Sequence, residues 1–318
     1  MPRLSILIPV LGNLNRLEDT LVSVLENRPD GCQVVVVLDE PYDDPYALTD
    51  EVTFVRGLPG SGLAEQLNLG WRTATARIIH VLRCGSEVEP NWAEPALAPF
   101  RDPLVASVAP LVLERTDPDE VLTAGVDYRP GGETRPLPPH GTPCEPIPPR
   151  PGLLGPEAWA AFFRKAAIDQ VGGFSPEVGD RLAGVDVGLW LKQAGWRTVF
   201  QPQSRVYLDR TAMGRAGPFR EGWQTERFFW RWAPQAGWGR SLRGHARLLA
   251  AEGLSALVRP SLFARLAGRV VGAVRFAAHH DHWRAIKALS PAPRPPVPEP
   301  HFSTSGEPAK PVHALVRH

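Results

Sequence analysis

Residues 4–38, LSILIPVLGNLNRLEDTLVSVLENRPDGCQVVVVL, contain two apolar runs with a helical pattern between them. The first run ends at a proline and a glycine. The second is a continuous valine stretch, which is typical of a strand buried on both faces. Between them, leucine and valine recur at helical spacing, with acidic residues in the early turns. The segment therefore predicts a strand, an amphipathic helix and a second strand of a parallel sheet.

The same alternation continues along the first third of the chain. Apolar runs at 52–55, 78–82 and 105–113 predict strands, and residues 63–73 predict a helix. Strands that alternate with helices indicate an α/β fold with a mostly parallel central sheet flanked by helices. Sheets of this kind bind ligands beyond the carboxyl ends of their strands. We therefore look for a site among the residues that follow these runs.

The rest of the chain divides into segments of different composition. Residues 129–156 are crowded with proline and glycine and predict a long irregular loop. Residues 159–171 predict a helix, and short strands are expected at 198–200 and 205–207. The pattern from 222 to 289 is helical and rich in tryptophan and arginine. The expected organisation is a domain over 1–210, a helical extension packed on it over 211–289, and a proline-rich disordered tail over 290–318.

Composition excludes several functional classes. The 318 residues carry a net charge of +1, which gives no global attraction for nucleic acid. The three cysteines show no metal-ligand spacing and predict reduced thiols without a disulfide framework. No apolar run is long enough for a signal peptide or a spanning helix. These features predict a cytoplasmic protein.

One carboxylate lies at the start of a later amphipathic helix. Asp186 lies within GVDVGLWL, residues 184–191, about ten residues after the turn VGGF at 171–174. A helix start holds a carboxylate in place and leaves it open to a cleft, as a general base requires. An acidic residue at this position also caps helices. Both interpretations stay open at this point.

The order of these motifs resembles the family-2 glycosyltransferases of the GT-A fold. Their pattern includes a strand that ends in proline, a strand that ends in paired acids, a glycine-containing loop leading to Asn-x-Gly, and an acceptor half with a Gly-Gly-Phe turn and an Asp. The matching segments are 5–10 (SILIPV), 36–40 (VVLDE), 62–70 (GLAEQLNLG), 171–174 (VGGF), Asp186 and 194–196 (AGW). The match covers roughly residues 3–210, and it implies a nucleotide-sugar donor in the first half and an acceptor in the second.

The resemblance implies a role for each matching residue. On the donor side, Asp39 and Glu40 would accept hydrogen bonds from the uracil or ribose, and the floor beneath the base would include Pro9, Val10 and Asn13, with Asn68 nearby. Asp39 and Glu40 could equally cap the turn that follows their strand. The acceptor side would contain Gly172, Gly173, Phe174 and Trp190. Asp186 would deprotonate the acceptor hydroxyl.

The metal-binding part of the family pattern is missing. The family's Asp-x-Asp normally follows the fourth strand, where this chain has Arg83 and Gly85. Neither supplies an oxygen ligand for Mg²⁺ or Mn²⁺, so no metal is expected at the usual site; Glu87 and Glu89 are shifted candidates. A guanidinium binds diphosphate oxygens in a bidentate manner, so Arg83 is the candidate replacement. Three accounts stay open: transfer without metal, transfer with an unusual metal site, and a non-catalytic binding or scaffold protein.

The expected partners follow from the same resemblance. They are a nucleotide-sugar donor and a glycan, a lipid-linked molecule or another hydroxyl acceptor. Residues 259–277 form a basic amphipathic pattern that suits an anionic membrane surface. Packing of its apolar face onto the main domain explains the pattern as well. The predicted location is therefore cytoplasmic, with peripheral contact at the inner membrane face as the further hypothesis.

Overall fold

The computed structural model describes most of the chain, namely residues 2–12, 14–138, 142–144, 153–212, 216–274 and 279–289. The tail predicted for 290–318 lies outside the described residues, as does Asn13. The first strands match the sequence prediction closely because their apolar runs are continuous and end at turn residues. The strands are β1 (Leu4–Pro9), β2 (Gln33–Leu38), β3 (Val52–Arg56), β4 (Ile78–Leu82), β5 (Ser86–Val88), β6 (Val105–Glu114), β7 (Glu120–Thr123), β8 (Val126–Tyr128), β9 (Thr134–Pro136), β10 (Thr142–Pro143), β11 (Ala160–Arg164) and β12 (Arg197–Leu208).

Helices cover the sheet and then form a separate group at the C-terminal side. They are α1 (Leu17–Asn27), α2 (Leu63–Thr73), α3 (Ala93–Leu97), α4 (Lys165–Val171), α5 (Ala183–Gln193), α6 (Pro218–Trp232), α7 (Trp238–Ala256), α8 (Ser261–Ala273) and α9 (His280–Lys287). Among the described residues, no helix is both long enough and apolar enough to cross a membrane.

The central sheet is parallel in its first half and mixed in its second. Strands β3, β2, β1 and β4 lie side by side and parallel. The next strand, β11, is antiparallel to both β4 and β6, and β12 is parallel to β6. The expected α/β fold is confirmed, whereas a mostly parallel sheet describes only its first half. The antiparallel insertion of β11 positions the loop before it at the same edge as the end of β4.

Two apolar layers hold the sheet between helices. Alternate side chains of a strand point to opposite faces, so one set packs against α1 and α3 and the other against α2, α4 and α5. On β1, Ile6 and Ile8 belong to the first layer, whereas Leu7 belongs to the second. Burial on both faces explains why these strands are apolar throughout, without the alternation of a half-exposed sheet.

Three local predictions differ from the structure. Residues 159–171 are not one helix: β11 occupies the first part and α4 the second, because pairing with β4 and β6 overrides the helical preference of the alanines. The short strands expected at 198–200 and 205–207 are one strand, β12, with a register shift between Gln201 and Arg205. The loop expected over 129–156 includes two short strands, since β9 pairs with β8 and β10 pairs with β7.

A buried charged network joins the three long C-terminal helices. Glu226 of α6 accepts hydrogen bonds from Arg269 of α8 at 3.1 Å and pairs with His245 of α7 at 3.1 Å. Arg269 also donates to Glu252 of α7 at 2.7 Å. Although burial raises the pKa of Glu226, the groups that bind it lower that pKa overall. The network therefore stabilises the packing of α6, α7 and α8 above the ordinary pKa of Glu and weakens as the pH falls below it.

Candidate functional site

The carboxyl edge of the parallel strands brings four segments into one row. Asp39 follows β2, Pro9 ends β1, and Arg83 follows β4. Because β11 is antiparallel to β4 and Ala160 pairs with Leu82, the loop just before β11 lies at the same edge as Arg83. That loop contains Glu157. Neighbouring strands are about 4.8 Å apart, so the row from Asp39 to Glu157 spans roughly 14 Å.

The residues expected to hold the nucleoside lie at the β1 and β2 end of this row. Pro9 and Val10 are buried, and Val10 is fixed by backbone pairing with Val37 and by a 2.6 Å hydrogen bond from Gln66 to its carbonyl. Asp39 is half-buried and accepts a long hydrogen bond, 3.4 Å, from the Gly12 amide. Glu40 is exposed. The structure brings Pro9, Val10 and Asp39 together, with one edge of Asp39 facing solvent.

Arg83 is half-buried next to the end of β1. Its amide donates to the Trp159 carbonyl at 2.9 Å, which ties it to the loop that contains Glu157. Burial lowers the pKa of its guanidinium, and the nearby Asp180 carboxylate opposes that shift. Over the described part of the chain, no carboxylate lies within ion-pair distance of Arg83, so its charge is only partly compensated. An incompletely hydrated guanidinium of this kind is suited to binding an anion.

Asp180 was not predicted from the sequence. It lies in the 3₁₀ turn Asp180–Leu182 just before α5, and its Oδ1 accepts the Leu63 amide of the α2 N-terminus at 2.8 Å. It therefore ties the segment before α5 to the start of α2, and its carboxylate acts electrostatically on Arg83. Its sequence context, GDRLAG, carries no motif that would have identified it.

Glu157 was not predicted either, and it carries the strongest chemical signal of the edge. Its side chain is half-buried, and desolvation raises the pKa of its carboxyl to about 7, even though Arg181 acts in the opposite direction. The first turn of α5 packs directly on this loop: a Cβ on Gly184 would lie 2.6 Å from the Ala158 amide nitrogen. A carboxyl with a pKa near neutrality, at the same edge of the sheet as Arg83, fits a general base.

A second cation lies near Arg83. Arg16, just before α1, binds Asp209 at 3.1 Å, and its Nη1 is buried without a hydrogen-bond partner among the described residues. Both guanidinium groups act electrostatically on the thiol of Cys84. Burial nevertheless raises the pKa of Cys84 to about 12, which keeps the thiol protonated and unreactive. Two arginines, Arg83 and Arg16, therefore lie near the end of β4.

The residues present do not fit a metal ion at the usual place. Gly85 has a φ of +92°, which an aspartate adopts only with strain, and its amide donates to Thr20 at 2.7 Å. The shifted candidates are occupied elsewhere: Glu87 pairs with Arg115 at 2.8 Å, and Glu89 accepts the Tyr207 hydroxyl. In the described ranges, no group of three or more His, Cys, Asp or Glu side chains could hold a metal.

The structure does not leave Asp186 open to the cleft, as its place at a helix start had suggested. The residue is 1% exposed and points toward α6. Its Oδ1 accepts hydrogen bonds from Arg231 Nε at 2.9 Å and Trp232 Nε1 at 2.8 Å, and its Oδ2 accepts from Arg231 Nη2 at 3.3 Å. Two helix positions separate Asp186 from Gly184, which faces the Glu157 loop, so the two residues lie on different sides of α5.

Trp190 lies in the same enclosed region. Its ring makes edge contacts with Trp232 at a centroid distance of 5.6 Å and with His282 of α9 at 4.9 Å. The ring is buried beneath α6 and α9. Stacking of an acceptor sugar on Trp190 would require these helices to move.

Asn68 and the Gly173–Phe174 turn are brought together, as a structural clamp. Asn68 Nδ2 donates to the Phe174 carbonyl at 2.7 Å, and its Oδ1 accepts the Phe174 amide at 2.9 Å. The Phe174 ring is buried against Trp71 and Phe163. Gly172 ends α4 and is exposed. These contacts join α2 to the turn after α4 and hold the Asn68 side chain against that turn.

We therefore expect Asn68→Ala to act on stability. Two hydrogen bonds are lost and a backbone amide and carbonyl lose their partners, which should lower the free energy of unfolding by about 2 kcal/mol. Urea denaturation measures this loss. A variant with unchanged stability and weakened nucleotide-sugar binding would instead support the donor role that the sequence resemblance implies for Asn68.

With this geometry in place, comparison with known proteins identifies the class. The parallel β3-β2-β1-β4 core with β11 inserted antiparallel is the GT-A fold. Residues 5–139 match the family model described as "Glycosyl transferase family 2". The resemblance predicted from the sequence is thereby confirmed over these residues. No curated protein sequence matches the chain.

One solved structure supports the fold. A crystal structure of GalNAc-T7 with UDP, GalNAc and Mn²⁺ superimposes with a TM-score of 0.52 at 18% identity over 72% of this chain. The match spans 47% of that protein, about half its length. The mannosyltransferase PcManGT from Pyrobaculum calidifontis, in complex with GDP-Man and Mn²⁺, gives a TM-score of 0.49 at 17% identity, covering 85% of this chain and 87% of the other.

Proposed function

We propose that this protein transfers a sugar from a nucleoside diphosphate donor to an acceptor hydroxyl, without a metal at the usual site. The observation that carries the proposal is the order of groups along the carboxyl edge. Asp39, Arg83 and Glu157 follow one another across four strands, in the order in which a nucleoside, a diphosphate and a sugar follow one another in the donor.

Each group has a role that suits its chemistry. Asp39 accepts hydrogen bonds from the nucleoside, and the buried Pro9–Val10 segment forms the floor beneath it. Arg83, together with Arg16, binds the diphosphate and offsets the charge that develops on it as the sugar bond breaks. Glu157 takes the proton from the acceptor hydroxyl, because its carboxyl has a pKa of about 7. Asp180 holds α2 and counters Arg83.

Arg83→Ala tests the donor site. We expect binding of UDP- or GDP-sugars, measured by calorimetry in the presence of a chelator, to weaken about a hundredfold or more, because a charge-assisted bidentate contact is lost. Arg83→Lys should recover only part of it, since an ammonium lacks the planar fork. Arg77→Ala, at an exposed arginine close by in the chain, is the matched control.

Three outcomes of the same titration decide between the accounts. Donor binding that depends on Arg83, together with turnover in the presence of the chelator, supports the proposal. Binding without turnover of any donor supports the alternative, a non-catalytic GT-A-like binding or scaffold protein. Binding that appears only with Mn²⁺ would contradict metal-independent transfer and would show that ligands other than those at the end of β4 hold the ion.

The acceptor proposal includes a membrane surface. The sequence predicts that the apolar residues at 259–277 either contact a membrane surface or pack onto the main domain. The exposure of the described part of that segment supports the membrane contact. The buried face of α8 consists of Gly268, Arg269 and Gly272, whereas Phe263, Val270 and Val274 are exposed. An outward apolar face suits a protein that works at the inner membrane face on a lipid-linked acceptor. A soluble glycan acceptor needs no such face.

A further inference from the structure

A cavity of about 630 Å³ lies between the β8–β9 hairpin and α7, away from the carboxyl edge of the sheet. Its charged lining consists of five arginines and one glutamate: Arg129, Arg135, Arg240, Arg243, Arg247 and Glu133. Five guanidinium groups against one carboxylate leave an excess of four positive charges, in a chain whose net charge is +1. This concentration of charge in a concave site indicates an anionic ligand.

Two structural elements position these arginines. Arg240, Arg243 and Arg247 are three and four residues apart on α7, so they share one face of the helix. The turn that joins β8 to β9 lies against the same helix through two glycines. A Cβ on Gly131 would lie only 2.7 Å from the Gly244 carbonyl carbon, so the two backbones are in direct contact.

His245 fixes this contact and leaves the arginines at the rim. Its Nδ1 lies 2.9 Å from the Gly131 carbonyl, and its ring stacks on Phe229 at 3.7 Å. The floor of the cavity is therefore rigid backbone held by a buried side chain. The arginine side chains above this floor therefore determine which class of ligand the cavity binds.

Internal pairing uses only part of this charge. Glu133 pairs with Arg135 at 2.8 Å and approaches Arg129 at 4.0 Å. Arg243 donates through Nε to the Gly239 carbonyl. Within the described ranges, neither Arg240 nor Arg247 forms an ion pair. Only one carboxylate, that of Glu133, lines the cavity beside five guanidinium groups, and this arrangement suits phosphate groups.

The apolar residues that continue along α7 indicate where the phosphate comes from. Leu254 lies on the arginine face of the helix and is 69% exposed. Just beyond the helix end, Leu257 and Val258 are 75% and 82% exposed. Binding of a free anion from solution would not involve the exposed leucine and valine side chains. An anionic lipid surface binds both sets, because its phosphates contact arginines while its acyl layer accepts apolar side chains.

We propose that this arginine cavity binds phosphate headgroups of an anionic lipid surface, with Leu254, Leu257 and Val258 entering the layer below the headgroups. The proposal deepens the membrane part of the proposed function and does not depend on sugar transfer. Binding is electrostatic at an exposed site and should weaken as salt is added.

Co-sedimentation of the full chain with vesicles tests the proposal. We expect binding to vesicles of phosphatidylcholine with about one third phosphatidylglycerol, and much weaker binding to phosphatidylcholine alone. Arg243→Ala combined with Arg247→Ala should weaken the binding to anionic vesicles about tenfold or more. The control variant combines Arg72→Ala with Arg77→Ala, which removes the same charge at exposed positions elsewhere and should bind as the unmodified chain does.

A second variant separates the lipid surface from a free phosphate. Leu257→Ser combined with Val258→Ser should weaken vesicle binding while binding of inorganic pyrophosphate, measured by calorimetry, stays the same. Binding of pyrophosphate that depends on Arg243 and Arg247, without any binding to anionic vesicles, would overturn the lipid source. Equal binding to neutral and anionic vesicles, or no effect of the arginine changes in a folded variant, would overturn the site.

The readouts keep this proposal distinct from the proposed function. Sugar transfer to a soluble acceptor is measured on the same variants. Loss of vesicle binding with transfer intact concerns only the cavity. Absence of transfer in a chain that binds anionic vesicles through Arg243 and Arg247 concerns only the carboxyl edge of the sheet.

Discussion

Glu157→Gln should lower the turnover of sugar transfer by about a hundredfold or more, which is the usual contribution of a general base. The amide keeps the shape of the carboxyl group and cannot accept the proton of the acceptor hydroxyl. Donor binding should stay unchanged, because Arg83 and Asp39 are the residues proposed to hold the donor. Initial rates with saturating donor, together with calorimetry of donor binding, measure both effects.

The pH dependence of the rate gives a second test of Glu157 as the base. The base is active only when ionised, and the pKa of Glu157 is raised to about 7 by desolvation. The value of kcat/KM should therefore rise with pH and level off above about 7. Glu157→Gln should show a low rate without this rise.

The stability of the folded protein should fall over the pH range in which the rate rises. A carboxyl whose pKa is higher in the folded than in the unfolded protein costs stability once it ionises, so stability falls as pH rises from the ordinary Glu pKa through about 7. Glu157→Gln removes that cost. We expect its Tm to equal that of the unmodified chain at pH 5 and to exceed it at pH 8.

Two comparisons make the Glu157 result decisive. Glu94→Gln, at an exposed glutamate paired with Arg3, should change neither rate nor Tm appreciably. Asp180→Asn tests the other carboxylate near Arg83. Full turnover in Glu157→Gln together with its loss in Asp180→Asn would move the role of base to Asp180.

Local pattern was enough to predict the first half of the fold. The valines of β2 and the apolar run of β1 are buried on both faces, so each run is continuous and its ends coincide with turn residues. The candidate residues that follow directly from those ends, Asp39 and Arg83, were proposed in the same way. Their position depends only on the strand that precedes them.

Glu157 and Asp180 depend on long-range pairing, which local pattern does not reveal. Glu157 reaches the site because β11 inserts antiparallel beside β4, and the alanines and phenylalanines of that strand suggested a helix. Asp180 reaches it through a contact with Leu63, more than a hundred residues earlier. Neither residue lies in a motif.

For Asp186, the local prediction was correct, but its surroundings depend on long-range packing. Its place near a helix start was predicted correctly, but the face on which it lies was decided by a helix that follows more than thirty residues later. Gly184 packs on the Glu157 loop, whereas Asp186 meets Arg231 and Trp232 of α6. The sequence of α5 alone does not indicate which of its faces the extension covers.

Asp186→Asn should therefore act mainly on stability. It removes the carboxylate that compensates the buried guanidinium of Arg231, and breaking a buried ion pair from one side costs about 3–5 kcal/mol. Urea denaturation measures the loss. Arg231→Met combined with Asp186→Asn should be more stable than the single Asp186→Asn variant, because no uncompensated charge remains.

Glu177→Gln is the matched control, since Glu177 contacts the same Arg231 at 3.4 Å from an exposed position. Its removal should cost less than about 1 kcal/mol, because a solvated ion pair contributes little. The rate of transfer distinguishes the two roles of Asp186. A loss of turnover in Asp186→Asn at unchanged free energy of unfolding would restore it as the base. A loss of stability that is rescued together with activity by Arg231→Met makes it the residue that attaches α6 to the domain of the central sheet.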